Sequence, residues 1–398
     1  MQAHGGEAAD ARAVRRDIKN VLSRSFALTH LPLLFLTLEN DRALFNGKET
    51  NRSLLARMGA RAQMRVACRA SGGAKRESGV MKVVDTSSGA FSIRDEGQGP
   101  AVLLLHGWPE TAHSWRHQFA PLVAAGFRVV APNQRGYDGS FAPDAIEAYS
   151  IFHLVGDAIA ILDALKIEKA VAVGHDWGAP VAWTSALMRP DRIAAVVGMS
   201  VPYASRGPKP PLEAMREAGA GNHYMLHFQE PGRTEAELER NVSRTMRRIL
   251  YSVSGSLPDG ATWRPFVPEG GGFLDTTFEP DALPQWLSDE DLDIYIAAFE
   301  RSGFRRPLNW YRNIDRNWEL SAALAGLRIR QPSLFVIGAR DPLLATMGPA
   351  VEALPRILPD LRGRHVIERA GHWVQQEAPE AVNRLLLEFL GGLPGHRG

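Results

Sequence analysis

"VAVGHDWGAPVAW", residues 171–183, joins a continuous apolar run to a helical pattern through a bend flanked by glycines. The apolar run has the character of a strand buried on both faces. Gly174 and Gly178 stand two positions either side of Asp176. A bend that presents a catalytic nucleophile needs small residues there, because the backbone turns sharply and the next helix packs close. The string Gly-x-Asp-x-Gly says little alone. The strand before it and the helix after it supply the required context. The plainer alternative is an ordinary strand-to-helix connection in which Asp176 caps the helix.

Working outward, the same type of apolar run recurs at "AVLLLHG" (101–107), "FRVVAP" (127–132), "RIAAVVGMS" (192–200) and "PSLFVIGARD" (332–341). "RGRHVIE" (362–368) reads as a weaker last strand. "MKVVDT" and "AFSIRDEG", near the start, alternate like antiparallel edge strands. Between the runs lie helical patterns, such as 150–165 and 380–390. Strand alternating with helix predicts an α/β architecture: a mostly parallel central sheet with helices on both faces. The alternation stops over 201–322, where helical patterns at 233–250 and 288–303 flank a Gly/Pro-rich passage. We read that stretch as an inserted helical cap. The expected division is a basic extension over 1–80, core over 81–200, cap over 201–322 and core again over 323–398.

The composition is that of an ordinary globular chain, 45% hydrophobic and 23% charged. The net charge of +2 is uneven: residues 1–80 hold 14 basic and 7 acidic residues, leaving the rest acidic. That remainder gives no basic footprint for nucleic acid. The apolar run 31–38 is too short to span a bilayer, and the leader lacks the features of a secretion signal. Cys68 is the one cysteine, which rules out an internal disulfide or a Cys-based zinc cluster and fits a cytoplasmic setting. Self-association is left open.

Nucleophile bends of this kind come with an acid and then a histidine in chain order. Asp341 ends the run "PSLFVIGARD" and His372 follows the last strand in "ERAGHWV". Each alone has a bland reading, Asp341 as a turn residue before Pro342 and His372 as a core or surface histidine. Together at strand ends they favour chemistry. "LLLHGWPE" (103–110) supplies a loop whose Trp108 N–H, with that of Trp177 after the nucleophile, forms a candidate oxyanion hole. Both tryptophans are expected at the substrate pocket, and Trp108–Pro109 is a bond that can be cis.

A serine on this bend attacks acyl carbons. An aspartate attacks a saturated carbon by displacement and becomes an ester. A histidine held by a second acid then activates water against that ester. A halide leaving group wants indole or amide donors, whereas an epoxide oxygen needs an acid, such as tyrosine hydroxyls reaching down from a cap.

Residues 81–398 resemble the α/β-hydrolase-fold epoxide hydrolases, particularly the C-terminal domain of soluble epoxide hydrolase. The strings that carry the resemblance are "HGWPE", "GHDWG", "YMLHFQEPG", "SGFRRPLNWYRN" and "AGHW", in that order. The resemblance implies Asp176 as nucleophile, Asp341 as orienting acid and His372 as base. It makes Tyr224 and Tyr311 the pair that polarises an epoxide oxygen, where a bland reading has them packing the cap. It implies a small-molecule epoxide as partner, with no metal and no organic cofactor. Two departures stand out: Ala179, where relatives often carry a second glycine, and the Gly-rich passage at 253–275, which has no clear counterpart. The alternative is a haloalkane or haloacid dehalogenase of the same fold, disfavoured by the two tyrosines. A non-catalytic binding member is disfavoured because all five groups are present.

Overall fold

The computed structural model describes residues 79–394. The basic leader expected over 1–80 therefore lies, apart from its last two residues, outside the described residues.

Eight strands form one sheet in the order β1-β2-β4-β3-β5-β6-β7-β8. β1 (Lys82–Asp85) and β2 (Ala90–Glu96) pair antiparallel, and β2 also runs antiparallel to β4 (Arg128–Pro132). β3 (Ala101–Leu105), β4, β5 (Ala170–His175), β6 (Ile193–Met199), β7 (Ser333–Gly338) and β8 (Leu361–Ile367) are parallel to one another. All eight runs read from the sequence form strands. The difference is at β2, expected as an edge strand. Only β1 lies at that edge. β2 buries Phe91, Ile93 and Asp95 and sits one place in.

The two faces of the sheet separate by residue parity, as a pleated strand demands. Leu103 and Leu105 of β3 and Ala172 of β5 face one core, while Val102, Leu104, Val171 and Val173 face the other. Helices α1 (Arg116–Ala124) and α13 (Pro379–Gly391) cover the second face with Phe119, Leu122, Leu386 and Phe389. Helices α2 (Ile151–Ala164) and α3 (Gly178–Met188) cover the first with Leu154, Ile161, Val181 and Trp183. Burial on both sides explains why β3, β5 and β7 read as unbroken apolar runs.

The long connection from β6 to β7 carries seven α-helices among the described residues: α4 (Pro211–Glu217), α5 (Tyr224–His227), α6 (Arg233–Leu238), α7 (Val242–Ser252), α8 (Asp289–Ser302), α9 (Arg305–Arg312) and α10 (Ile314–Leu320). The helical pattern over 233–250 is not one helix. Asn241 adopts φ −152° and its side chain accepts a hydrogen bond from the Arg244 N–H at 2.8 Å, starting α7 afresh. The connection is fastened to the sheet layer at several points. Trp310 donates its indole N–H to the Arg135 carbonyl at 3.1 Å, and Asn313 donates to the Ile146 carbonyl at 2.7 Å. Asp291 meets His113 and Arg116 at 2.7 and 2.9 Å, and Arg301 meets Asp138 at 2.7 Å. After β7 come α11 (Pro342–Ile357), β8, α12 (Val374–Glu377) and α13.

At the bend after β5, α3 approaches the end of β3 so closely that a Cβ on Gly178 would strike the carbonyl groups of Leu105 and His106. Gly178→Ala should therefore lower stability by about 1–3 kcal/mol, the range for overpacking a close contact. A urea melt would show a lower midpoint with an unchanged slope. An unchanged midpoint would contradict the close approach.

Candidate active site

Because β3, β5, β7 and β8 are parallel, the loops that follow them gather at one edge of the sheet, where open α/β sheets bind ligands. Trp108 follows β3, Asp176 follows β5, Asp341 follows β7 and His372 follows β8. Asp176 holds φ +49°, a left-handed conformation that a residue with a side chain adopts only at a cost. Its side chain does not cap α3, whose N-cap is Trp177 with no side-chain cap bond. Instead Asp176 Oδ1 accepts the Trp108 N–H at 2.7 Å. Gly107 is needed beside it, since a Cβ there would strike the Asp176 carboxylate. The Trp108–Pro109 bond is cis.

His372 lies between two carboxylates. Its Nδ1 is 3.1 Å from Asp341 Oδ2, and its Nε2 is 3.5 Å from Asp176 Oδ2. Asp341 makes two contacts. It caps α11 through the Leu343 N–H at 2.9 Å and turns its other oxygen to His372. Burial favours the uncharged form of each group here. Hydrogen bonding and charge from His372, with smaller help from His175 and the Trp108 N–H, outweigh that burial and hold Asp176 below the usual carboxylate range. Burial likewise works to lower His372, but Asp341 and Asp176 push it well above the usual histidine range.

Tyr224 opens α5 and Tyr311 sits in the last turn of α9. Both line one cavity with Trp108, Asp176 and His372. Their rings are 5.9 Å apart and both residues are buried. Burial, then the Asp176 charge, raises the Tyr224 hydroxyl above its ordinary pKa, and a hydrogen bond with Tyr311 opposes this. Burial, then Tyr224 and Asp176, raises Tyr311. Both hydroxyls stay protonated donors. The strings that contain them meet physically. Gln229 donates to the Tyr311 carbonyl at 3.1 Å, Arg312 donates to the Phe228 carbonyl at 3.1 Å, and Arg312 pairs with buried Glu235 at 2.8 Å. This lattice fixes the spacing of the two tyrosines.

Trp177 packs its ring against Tyr311 at 5.1 Å and Trp310 at 6.0 Å, whereas the cavity wall is formed by Trp108, Trp263 and Phe273. Trp177 thus touches a tyrosine of the site. Among the described residues no cluster of three or more His, Cys, Asp or Glu is gathered for a metal, and no helix is long and apolar enough to cross a membrane.

Sequence reasoning missed the support beneath the site. Glu110, fully buried, accepts the Gly107 N–H at 3.1 Å and meets His175 Nδ1 at 2.8 Å. Its other oxygen accepts from Gln375 and Gln376. His175 Nε2 reaches the His372 carbonyl at 2.7 Å. One carboxylate therefore ties the Trp108 loop to the His372 loop. His106 is held neutral: burial lowers it to about 4, and its Nε2 accepts the Gln134 N–H at 3.0 Å. The available signal was the charged end of "HGWPE", a glutamate straight after a buried strand.

An α/β hydrolase fold family matches residues 100–379. Epoxide hydrolase A of Mycobacterium tuberculosis is 46% identical over 315 residues, covering 78% of this chain and 97% of that protein. The chain belongs to the epoxide hydrolases of the α/β-hydrolase fold. Bifunctional epoxide hydrolase 2 of Sus scrofa is 40% identical over 74% of this chain, a match confined to 52% of that longer protein. A solved epoxide hydrolase from an endophytic Streptomyces superposes with TM-score 0.77 at 45% identity, covering 80% of this chain and 96% of its own. Epoxide hydrolase A from Mycobacterium thermoresistibile gives 0.74 at 48% identity, covering 79% and 98%.

Glu110→Gln would turn an amide donor toward the Gly107 N–H or His175. The expected cost is about 1–3 kcal/mol, as for leaving buried hydrogen-bonding groups unsatisfied, read as a lower urea midpoint. A variant as stable as the parent would remove Glu110 from its supporting role.

Proposed function

We propose that this chain converts an epoxide and water to a vicinal diol through an alkyl ester on Asp176. The observation that carries the reading is an anionic Asp176 on a left-handed bend, sharing one cavity with two protonated tyrosine hydroxyls. Asp176 Oδ2 attacks an epoxide carbon, the C–O bond breaks, and the oxygen takes a proton from the Tyr224–Tyr311 pair. His372, oriented by Asp341, then removes a proton from water as the water oxygen bonds to the ester carbon. The Trp108 and Trp177 N–H groups hold the oxyanion. Collapse of this adduct on the ester carbonyl carbon expels the second oxygen of the diol as an alkoxide, which takes the proton of the new carboxyl group, so that the diol leaves and the Asp176 carboxylate returns.

His372 changes role between the steps for an electrostatic reason. In the resting site a carboxylate 3.5 Å away favours the imidazolium. Two charges at that separation interact by about 5 kcal/mol at an effective dielectric of ~20. Ester formation removes the Asp176 charge, and His372 then yields its proton more readily, returns it to the tyrosinate left by the first step, and becomes a base. Two phenol donors suit an oxygen leaving group better than a halide, which sets the dehalogenase alternative aside. Residues 201–322 would act as the cap over a core made of 81–200 and 323–398. The single cysteine fits a cytoplasmic placement, and a homo-oligomer remains compatible.

In a single turnover with excess enzyme in oxygen-18 water, the first diol should be unlabelled and the label should appear in the Asp176 carboxylate. Label in the diol and none on Asp176 would mean direct attack by water. His372→Gln should accumulate the ester, seen as added mass on the Asp176 peptide. Ester decay in the parent should slow as pH falls, because the base form of His372 is lost by protonation, while ester formation needs no such base. A decay rate independent of pH would remove His372 from the base role. Tyr224→Phe and Tyr311→Phe should each slow ester formation by about 10²–10⁴-fold, the usual worth of a positioned acid.

A further inference from the structure

The catalytic cavity is small, about 50 Å³, room for a few water-sized groups. Beside it lies a second hollow of about 480 Å³. The two share three wall residues: Ser252, Trp263 and Pro342. The hollow also reaches Asp341. Its outer wall is residues 257–262, part of the Gly/Pro-rich passage that had no counterpart in the sequence reading.

Trp263 lines both spaces. Its indole N–H donates to Thr276 Oγ1 at 3.1 Å, and its ring stands 5.4 Å from that of Tyr224. It is buried, whereas Phe266, three residues on, is 47% exposed. The outer wall is held more lightly. Arg340 donates to the carbonyls of Gly255 and Leu257 at 2.7 and 3.2 Å and pairs with Asp259, whose side chain is 92% exposed. A cavity of the inner size lodges a reacting ring and a short substituent. A longer substituent must go elsewhere, and the larger adjoining volume lies past Trp263.

We propose that the outer hollow receives the long substituent of the epoxide, and that Trp263 is the specificity-determining residue that controls its passage. This rests on the reading of the site as an epoxide hydrolase. The substrate class it selects is an epoxide with one extended, flexible arm. The reacting ring sits between Asp176 and the tyrosines, and the arm lies over the Ser252–Pro342 side of Trp263. The hollow's mixture of Leu257 and Leu344 with Ser254, Thr262 and Arg340 suits an apolar arm carrying a polar group toward its far end.

The test compares kcat/KM for butene oxide and dodecene oxide, which differ in chain length alone. It uses the full chain, Trp263→Ala and Ala261→Trp. Trp263→Ala merges the two spaces and should raise the long-to-short ratio by tenfold or more. Ala261→Trp fills the hollow from its solvent side and should lower that ratio by tenfold or more. Using the ratio removes any shared effect of Trp263→Ala on neighbouring Tyr224, and Ala261→Trp leaves Trp263 in place. Turnover with the same ratio in all three proteins overturns the role of the hollow while the epoxide hydrolase reading stands. No turnover of either epoxide by the parent chain overturns both.

Discussion

The left-handed backbone at Asp176 is the constraint on which the rest depends. A side chain at φ +49° is disfavoured unless its surroundings hold it there. Here they do so on three sides. Gly178 lets α3 press on the carbonyl end of β3, Gly107 leaves room for the carboxylate, and the Trp108 N–H takes one of its oxygens. The buried sheet beneath makes the bend rigid, since β5 is hydrogen-bonded on both sides by β3 and β6. A carboxylate raised on that bend faces outward at the sheet edge, where the ends of β3, β7 and β8 bring their own groups.

The second layer of control is electrostatic. Two carboxylates around one imidazole would repel each other if the imidazole were neutral. With His372 beside it, Asp176 is held below the usual carboxylate range, and His372 is pushed well above the usual histidine range, both against the effect of burial. Below them the Glu110–His175 pair links the loops that carry Trp108 and His372. The site is therefore set on a buried polar lattice, which is costly to assemble and hard to distort once complete.

Much of this was legible in the sequence. Strands buried on both faces give continuous apolar runs, so all eight could be read, and the bend, the acid and the histidine follow from chain order at strand ends. Burial parity at Phe91, Ile93 and Asp95 moved β2 off the edge, which alternation alone does not reveal because an inner antiparallel strand alternates too. The break at Asn241 was hidden because helical periodicity runs through it, and a side-chain cap on the Arg244 N–H decides it. The roles of Glu110 and His175 were out of reach because they depend on contacts between segments 65 residues apart. That Trp263 and Phe273 line the cavity is visible only from their position in space.

The groups of the proposed reaction are divided between two layers. The nucleophile, its acid and its base hang from the sheet, while both hydroxyl donors hang from the connection between β6 and β7. The ties between those layers differ in kind: Arg301–Asp138 is an exposed ion pair of little worth, whereas the Trp310 bond to the Arg135 carbonyl is buried. Asp176 alone, without that connection, would have nothing to protonate a departing oxygen. The proposed reaction is therefore confined to a guest that touches both layers at once.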